Sequence, residues 1–163
     1  MALGGFGGSD NVAEKINDSL NFSEHGFFMQ IDTSRIGIFS KEYNGYKLFM
    51  VNTSDKLVTL RAADSRLSVI AEVYYQGKWQ AIEYLPMVTC GNSYHSVYLK
   101  QNEYWVFDIP RLAGKIPVKL RYRLALTREK FIYSNVIDSH INPGQLTQKQ
   151  GYKASGLMDP YQD

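Results

Sequence analysis

The sequence predicts an all-β domain: an antiparallel sandwich of about seven to nine strands, with a short N-terminal helix and a polar C-terminal tail. Three observations predict it. From Phe27 to about Ile141, apolar and polar residues alternate with period two. That is the rhythm of strands with one wet face, and it favours antiparallel pairing. Turn-forming residues break this rhythm roughly every ten positions. Aromatic residues make up 13% of the chain, with 12 tyrosines, and Tyr suits a half-buried pleated surface.

The chain of 163 residues is 44% hydrophobic and 21% charged. That is enough to bury one core without disulfides or metals, and it excludes a fully disordered chain. Three regions follow: a Gly-rich segment with a helix over 1–25, a β-sandwich domain over 26–144, and a polar tail over 145–163.

Residues 1–8 are Gly-rich and are expected to be flexible. This start has neither a basic n-region nor an apolar h-region, so a signal peptide is not expected. Residence in the cytoplasm follows, or in the periplasm or cell envelope if the start is a processed or engineered terminus. Asn11 and Glu14 have capping-box spacing, and Val12, Ile16 and Leu20 fall at i, i+4 and i+8. Together they predict one short helix that must lie on the sheet or on a partner.

The strands follow in order. Residues 46–52 and 56–62 are two short runs with a turn at Asn52–Asp55. Leu67, Val69, Ala71, Val73 and Tyr75 share a face, opposite Ser68, Glu72 and Tyr74. Gln76-Gly77-Lys78 then turns the chain into residues 79–85, a first hairpin. Residues 96–100 and 103–109 are expected to form a second hairpin around Gln101-Asn102, with Trp105, Phe107 and Ile109 on one face and Pro110 at its end. The cleanest strand is 118–126: Val118, Leu120, Tyr122, Leu124 and Leu126 point inward, and Lys119, Arg121 and Arg123 outward. It returns through residues 131–137 as a third hairpin. After Asn142-Pro143-Gly144 the polar tail is expected to be weakly ordered or docked on the surface.

Leu120-Arg121-Tyr122-Arg123-Leu124 with Ile132-Tyr133-Ser134-Asn135 resembles the last hairpin of immunoglobulin and fibronectin type III sandwiches. The resemblance implies an immunoglobulin-like architecture. The Cys…Trp…Cys signature of antibody-type domains is absent, since Cys90 is the single cysteine. More broadly, residues 64–67, 79–85, 90–95 and 133–135 resemble segments of uncharacterised bacterial envelope proteins, which implies export and no catalysis.

Function narrows mainly by exclusion. There are 18 basic and 16 acidic residues, a net charge of +2, too small to imply nucleic-acid or membrane binding by field alone. No run of 18 apolar residues exists, so no membrane span is expected. No dinucleotide fingerprint or phosphate loop occurs. Cys90 and His95 are candidates for a nucleophile and its base, but they are neighbours in one polar loop, where a structural thiol beside a loop histidine is the ordinary reading. His25, His95 and His140 lack metal-ligand spacing, so neither metal nor cofactor is expected. Glu72 and Glu83 face each other if the 67–85 hairpin is regular, yet paired acids on a wet sheet are ordinarily solvated.

Residues 111–130 hold seven basic residues against Glu129 alone, a local balance of +6. Alternation sends Tyr122 inward, away from these cations, which disfavours a nucleic-acid platform. A solvated strand, or cations paired with acids on neighbouring strands, fits better.

The function expected is therefore a non-catalytic protein-interaction module, an accessory subunit of a larger cell-envelope assembly. The residues expected to contact its protein partner are Tyr74, Trp79, Tyr84, Tyr104, Lys119, Arg121 and Arg123. One alternative is a carbohydrate-binding module stacking sugars on Tyr74, Trp79 and Tyr84. The other is an enzyme using Cys90 and His95.

Overall fold

The alternating segments form strands. The computed structural model describes residues 11–39, 42–85 and 91–147, together with strand residues 153–154 and 161–162. In chain order the strands are β1 (Glu14–Lys15), β2 (Phe27–Phe39), β3 (Tyr43–Asn52), β4 (Val58–Ala63), β5 (Arg66–Leu67), β6 (Val69–Tyr75) and β7 (Lys78–Ala81). Then come β8 (Tyr94–Leu99), β9 (Glu103–Pro110), β10 (Ile116–Ala125), β11 (Phe131–Tyr133), β12 (Ile137–Ile141), β13 (Lys153–Ala154) and β14 (Tyr161–Gln162). Four of these have only two residues, and β11 and β12 lie end to end along β10 as one interrupted strand. Among the described residues the remaining helical content is two 3-10 turns, Gly91–Ser93 and Pro143–Leu146.

The strands form antiparallel sheets, consistent with a β-sandwich. One sheet runs β1-β9-β3-β2, a second β11-β10-β6-β7 with β12 also on β10, and a third β5-β4-β8. β13 and β14 pair with each other. Register explains how one core serves all three large sheets. Met29, Met50 and Trp105 lie in one cross-strand row, and Ile31, Leu48 and Phe107 in the next. These meet Leu60, Ala62, Val97 and Leu99 from β4 and β8, and Val69, Ala71, Val73, Leu120, Tyr122 and Leu124 from β6 and β10. The inward residues expected of β6, β9 and β10 are thus in the core, except that Tyr75 and Leu126 are only partly buried against it. Burying one such side chain contributes about 1.5–3 kcal/mol.

The edge of β2 is tied to the second sheet by one side chain and one backbone bridge. Asn135 Oδ1 accepts from the Ile31 backbone N–H at 2.6 Å, and Asn135 Nδ2 donates to the Ile31 carbonyl at 3.1 Å. The amide thus occupies the place of a neighbouring strand. Beside it, Met29 and Ser134 form a parallel bridge. Ser134 N–H donates to the Tyr122 carbonyl, and Ser134 Oγ accepts from Tyr122 N–H, both at 2.9 Å.

Two of the three expected hairpins form. β6 and β7 pair across Gln76-Gly77, both at positive φ, and β10 pairs with β11. The second does not: β8 pairs with β4, and β9 with β3. Around Gln101-Asn102 the chain crosses between sheets, and it does the same between β3 and β4. Asn52, fully buried, holds both crossings. Its Nδ2 donates to the carbonyls of Lys56 at 2.8 Å and Leu99 at 3.0 Å, and its own carbonyl accepts from Asn102 N–H at 2.8 Å.

The N-terminal helix is absent. Residues 11–24 run as irregular chain with the short β1 pairing against β9. Asn17 is the local reason: its Oδ1 accepts from Ser19 N–H at 3.0 Å, closing an Asx turn that competes with helix. Tertiary packing is the larger reason. Val12 is exposed, while Ile16, Leu20 and Phe22 cover a second apolar cluster of Phe28, Phe49, Val51 and Tyr104 on the far side of β2-β3-β9. Phe22 meets Phe28 and Phe49 edge-on at 5.8 and 5.7 Å between centroids. The second half of β3, residues 48–52, is therefore buried on both faces. The expected tail over 145–163 lies mostly outside the described residues.

Candidate functional site

Alternation along β10 puts Lys119, Arg121 and Arg123 on the outer face of the second sheet, and register decides what each meets. Lys119 stands opposite Asp138 and Tyr74, Arg121 opposite Glu72, and Arg123 opposite Tyr133 and Ile70. Both guanidinium groups converge on Glu72. Arg121 donates through Nε at 3.0 Å and Nη2 at 2.8 Å to Glu72 Oε2, while Arg123 Nε lies 2.9 Å from Glu72 Oε1. Lys119 Nζ donates to Asp138 Oδ1 at 2.6 Å, in an exposed pair. The three cations of β10 are thus matched by acids on neighbouring strands.

Aromatic rings enclose the same groups. The Arg121 guanidinium lies 4.0 Å from the Trp79 ring centroid and 3.9 Å from that of Tyr133, and Arg123 lies 4.7 Å from Phe131. Each stacking of this kind contributes about 0.5–2 kcal/mol, most where water is excluded. Tyr74 packs on Trp79 edge-on, with centroids 5.5 Å apart and planes at 61°. Tyr74 remains 45% exposed and Tyr133 43%. The face therefore presents two tyrosines at the rim of a guanidinium held in place by a carboxylate and two rings.

The structure brings five of the seven residues expected at the site onto this face: Tyr74, Trp79, Lys119, Arg121 and Arg123. Tyr84 follows β7 and is half-buried, its hydroxyl 3.4 Å from the Ala81 carbonyl. Tyr104 does not belong to the exposed surface. Alternation does turn it away from the main core, but that second face is covered by the N-terminal segment, leaving Tyr104 5% exposed. Its hydroxyl donates to Glu14 Oε2 at 2.7 Å.

Burial pushes the Tyr104 phenol up to about 12, from an ordinary 10.0, and the Glu14 carboxylate beside it acts in the same direction. Below pH 10 the phenol is protonated whether the chain is folded or not, so its stabilisation is fully present. As pH climbs from 10 to about 12 the unfolded chain ionises first, and the stabilisation is lost. The stability gap between wild type and Tyr104→Phe, measured by urea unfolding, is therefore expected to narrow over that window. A gap that stays constant or widens would count against this account.

The other sequence candidates separate. Glu83 Oε2 accepts from Ala71 N–H at 2.8 Å, and Glu72 serves the two arginines, so the two acids are not a facing pair. Cys90 lies outside the described residues. His95 Nδ1 contacts the Ser93 carbonyl at 3.1 Å. Among the described residues no cluster of three or more metal-ligating side chains occurs, and no helix is long and apolar enough to cross a membrane.

Sequence reasoning missed Glu72 as the anchor and Tyr133 and Phe131 as ring partners. The signal was the third hairpin itself, whose register sets Tyr133 against Arg123. It also left unassigned a second tyrosine pair. Tyr94 and Tyr98 lie on the outer face of β4-β8, with Arg61 stacked 4.9 Å from the Tyr94 ring. Among known proteins, the chain matches no family model, no curated protein and no solved structure.

Proposed function

We propose that the chain is a non-catalytic protein-interaction module on an immunoglobulin-like sandwich, which docks a partner protein against the outer face of the β7-β6-β10-β11 sheet. The observation that carries this reading is the Arg121 guanidinium, held between Trp79 and Tyr133 and bonded to Glu72. Trp, Tyr and Arg are the residues that supply most binding energy at protein interfaces. Here they are fixed before contact, so little side-chain freedom remains to be lost on binding. Lys119, outside this cage and more exposed, supplies charge that orients the approach. The proposed setting, an accessory subunit of a cell-envelope assembly, is supported by the sequence resemblance to bacterial envelope proteins.

A sugar platform is the weaker reading, because Tyr74 and Trp79 meet at 61° instead of forming a coplanar row. The test is retention of proteins from the source lysate on the immobilised chain. A partner retained by wild type is expected to bind about ten-fold or more weakly to Tyr74→Ala/Tyr133→Ala, and with unchanged affinity to Tyr98→Ala on the other sheet. Equal binding by both variants would remove the face from the proposal, and specific retention of glycans in place of proteins would overturn it.

A further inference from the structure

A different surface of the molecule carries a prediction about self-association. β2 is the terminal strand of its sheet. Its first half is closed by Ser134 and Asn135. At Asp32 the register slips, and pairing with β3 resumes at Ile36 opposite Tyr46. From there Ile36 and Ile38 share the side of β3 that carries Tyr46, Leu48 and Met50, yet among the described residues nothing covers them: Ile36 is 72% exposed and Ile38 63%. No strand lies beyond Ile36–Ile38 among the described residues. Proteins ordinarily blunt such an edge with charge, proline or a bulge. Here the bulge ends just before the apolar residues begin.

We propose that this edge pairs, antiparallel, with the same segment of a second copy of the chain about a two-fold axis at Gly37. The sequence Ile36-Gly37-Ile38 is identical in both directions. Antiparallel self-pairing therefore sets each isoleucine against an isoleucine of the other copy, and glycine against glycine. A second copy meets this requirement automatically, and the contact is isologous and closed. Charge does not oppose it. Arg35 lies on Asp32 at 3.2 Å and Lys47 on Asp108 at 2.6 Å, so these two cations beside the segment are already matched within each copy. The pairing continues the β1-β9-β3-β2 sheet from one copy into the other.

Sedimentation of the full chain from micromolar to millimolar concentration tests this. The wild type is expected to dimerise reversibly. Ile36→Lys/Ile38→Lys places lysine opposite lysine and is expected to weaken association at least about ten-fold, while both side chains are exposed enough for the thermal midpoint to stay close to wild type. A second measurement reads the register. In a Cys90→Ser background, a mixture of Ile36→Cys and Ile38→Cys chains is expected to oxidise to a mixed disulfide faster than either chain alone. A wild type that stays monomeric at millimolar concentration, as it would if the edge serves a strand of another protein, overturns the proposal. A dimer insensitive to the lysines, or cysteines that show no preference for the mixed pair, overturns it equally.

Discussion

Glu72→Gln is expected to destabilise the chain by about 3 kcal/mol, read from the denaturant midpoint. The glutamine keeps the shape and removes the charge. Glu72 is buried, and it receives three contacts from Arg121 and Arg123 at 2.8–3.0 Å. Without it the Arg121 guanidinium stays enclosed by Trp79 and Tyr133 with no counter-ion on Glu72's position. The two arginines then repel each other in a site where water screens poorly. Arg123→Ala is expected to cost only about 1 kcal/mol, because Arg121 still neutralises the carboxylate. Asp138→Asn, in the exposed pair with Lys119, is expected to fall within about 0.5 kcal/mol of wild type. Similar losses for all three would mean that the Glu72 cluster has no special place in the stability of the sheet.

Gly45→Ala is expected to cost about 3 kcal/mol for a different reason. Gly45 lies in β3 between Gly37 of β2 and Pro110 of β9. A Cβ there would lie inside van der Waals distance of the Ile109 carbonyl, with the Phe39 side chain close behind. The obstacle is backbone, so rotating a side chain cannot relieve it. Either β9 moves away or the three-strand ladder opens at that row. Urea unfolding of the variant beside wild type checks this, and a loss below about 1 kcal/mol would show that the strands separate with little resistance.

How much of this was visible beforehand depends on what the alternation depends on. Along 118–124 each apolar residue is in the core and each cation is outside, because a strand with one buried face has only one satisfactory register. The faces of β6 and β9 were equally plain. Partner identity was not. Gln101-Asn102 has the residues of a hairpin turn, and these same residues suit a chain leaving one sheet for another. What decides between them is the set of bonds to Asn52, some fifty positions away. In the N-terminal segment, Ile16 and Leu20 have helical spacing, yet the Asx turn at Asn17 and the cluster around Phe49 accept them as irregular chain. Tyr104 shows the same limit from the other side. Its direction was legible, but the segment that covers it was not.

At the candidate site the cations and the exposed rings could be picked out one at a time. Their assembly depended on register across four strands, which sets Glu72 against Arg121 and Tyr133 against Arg123. A pattern within a single strand carries no such information.

The amide of Asn135 that grips Ile31 is 104 positions away along the chain. A growing polypeptide leaving the ribosome therefore presents β2 with that margin open until nearly the whole domain has been made. Loop closures this long are late and slow steps in folding. During synthesis this margin would remain a place where nascent chains could adhere to one another.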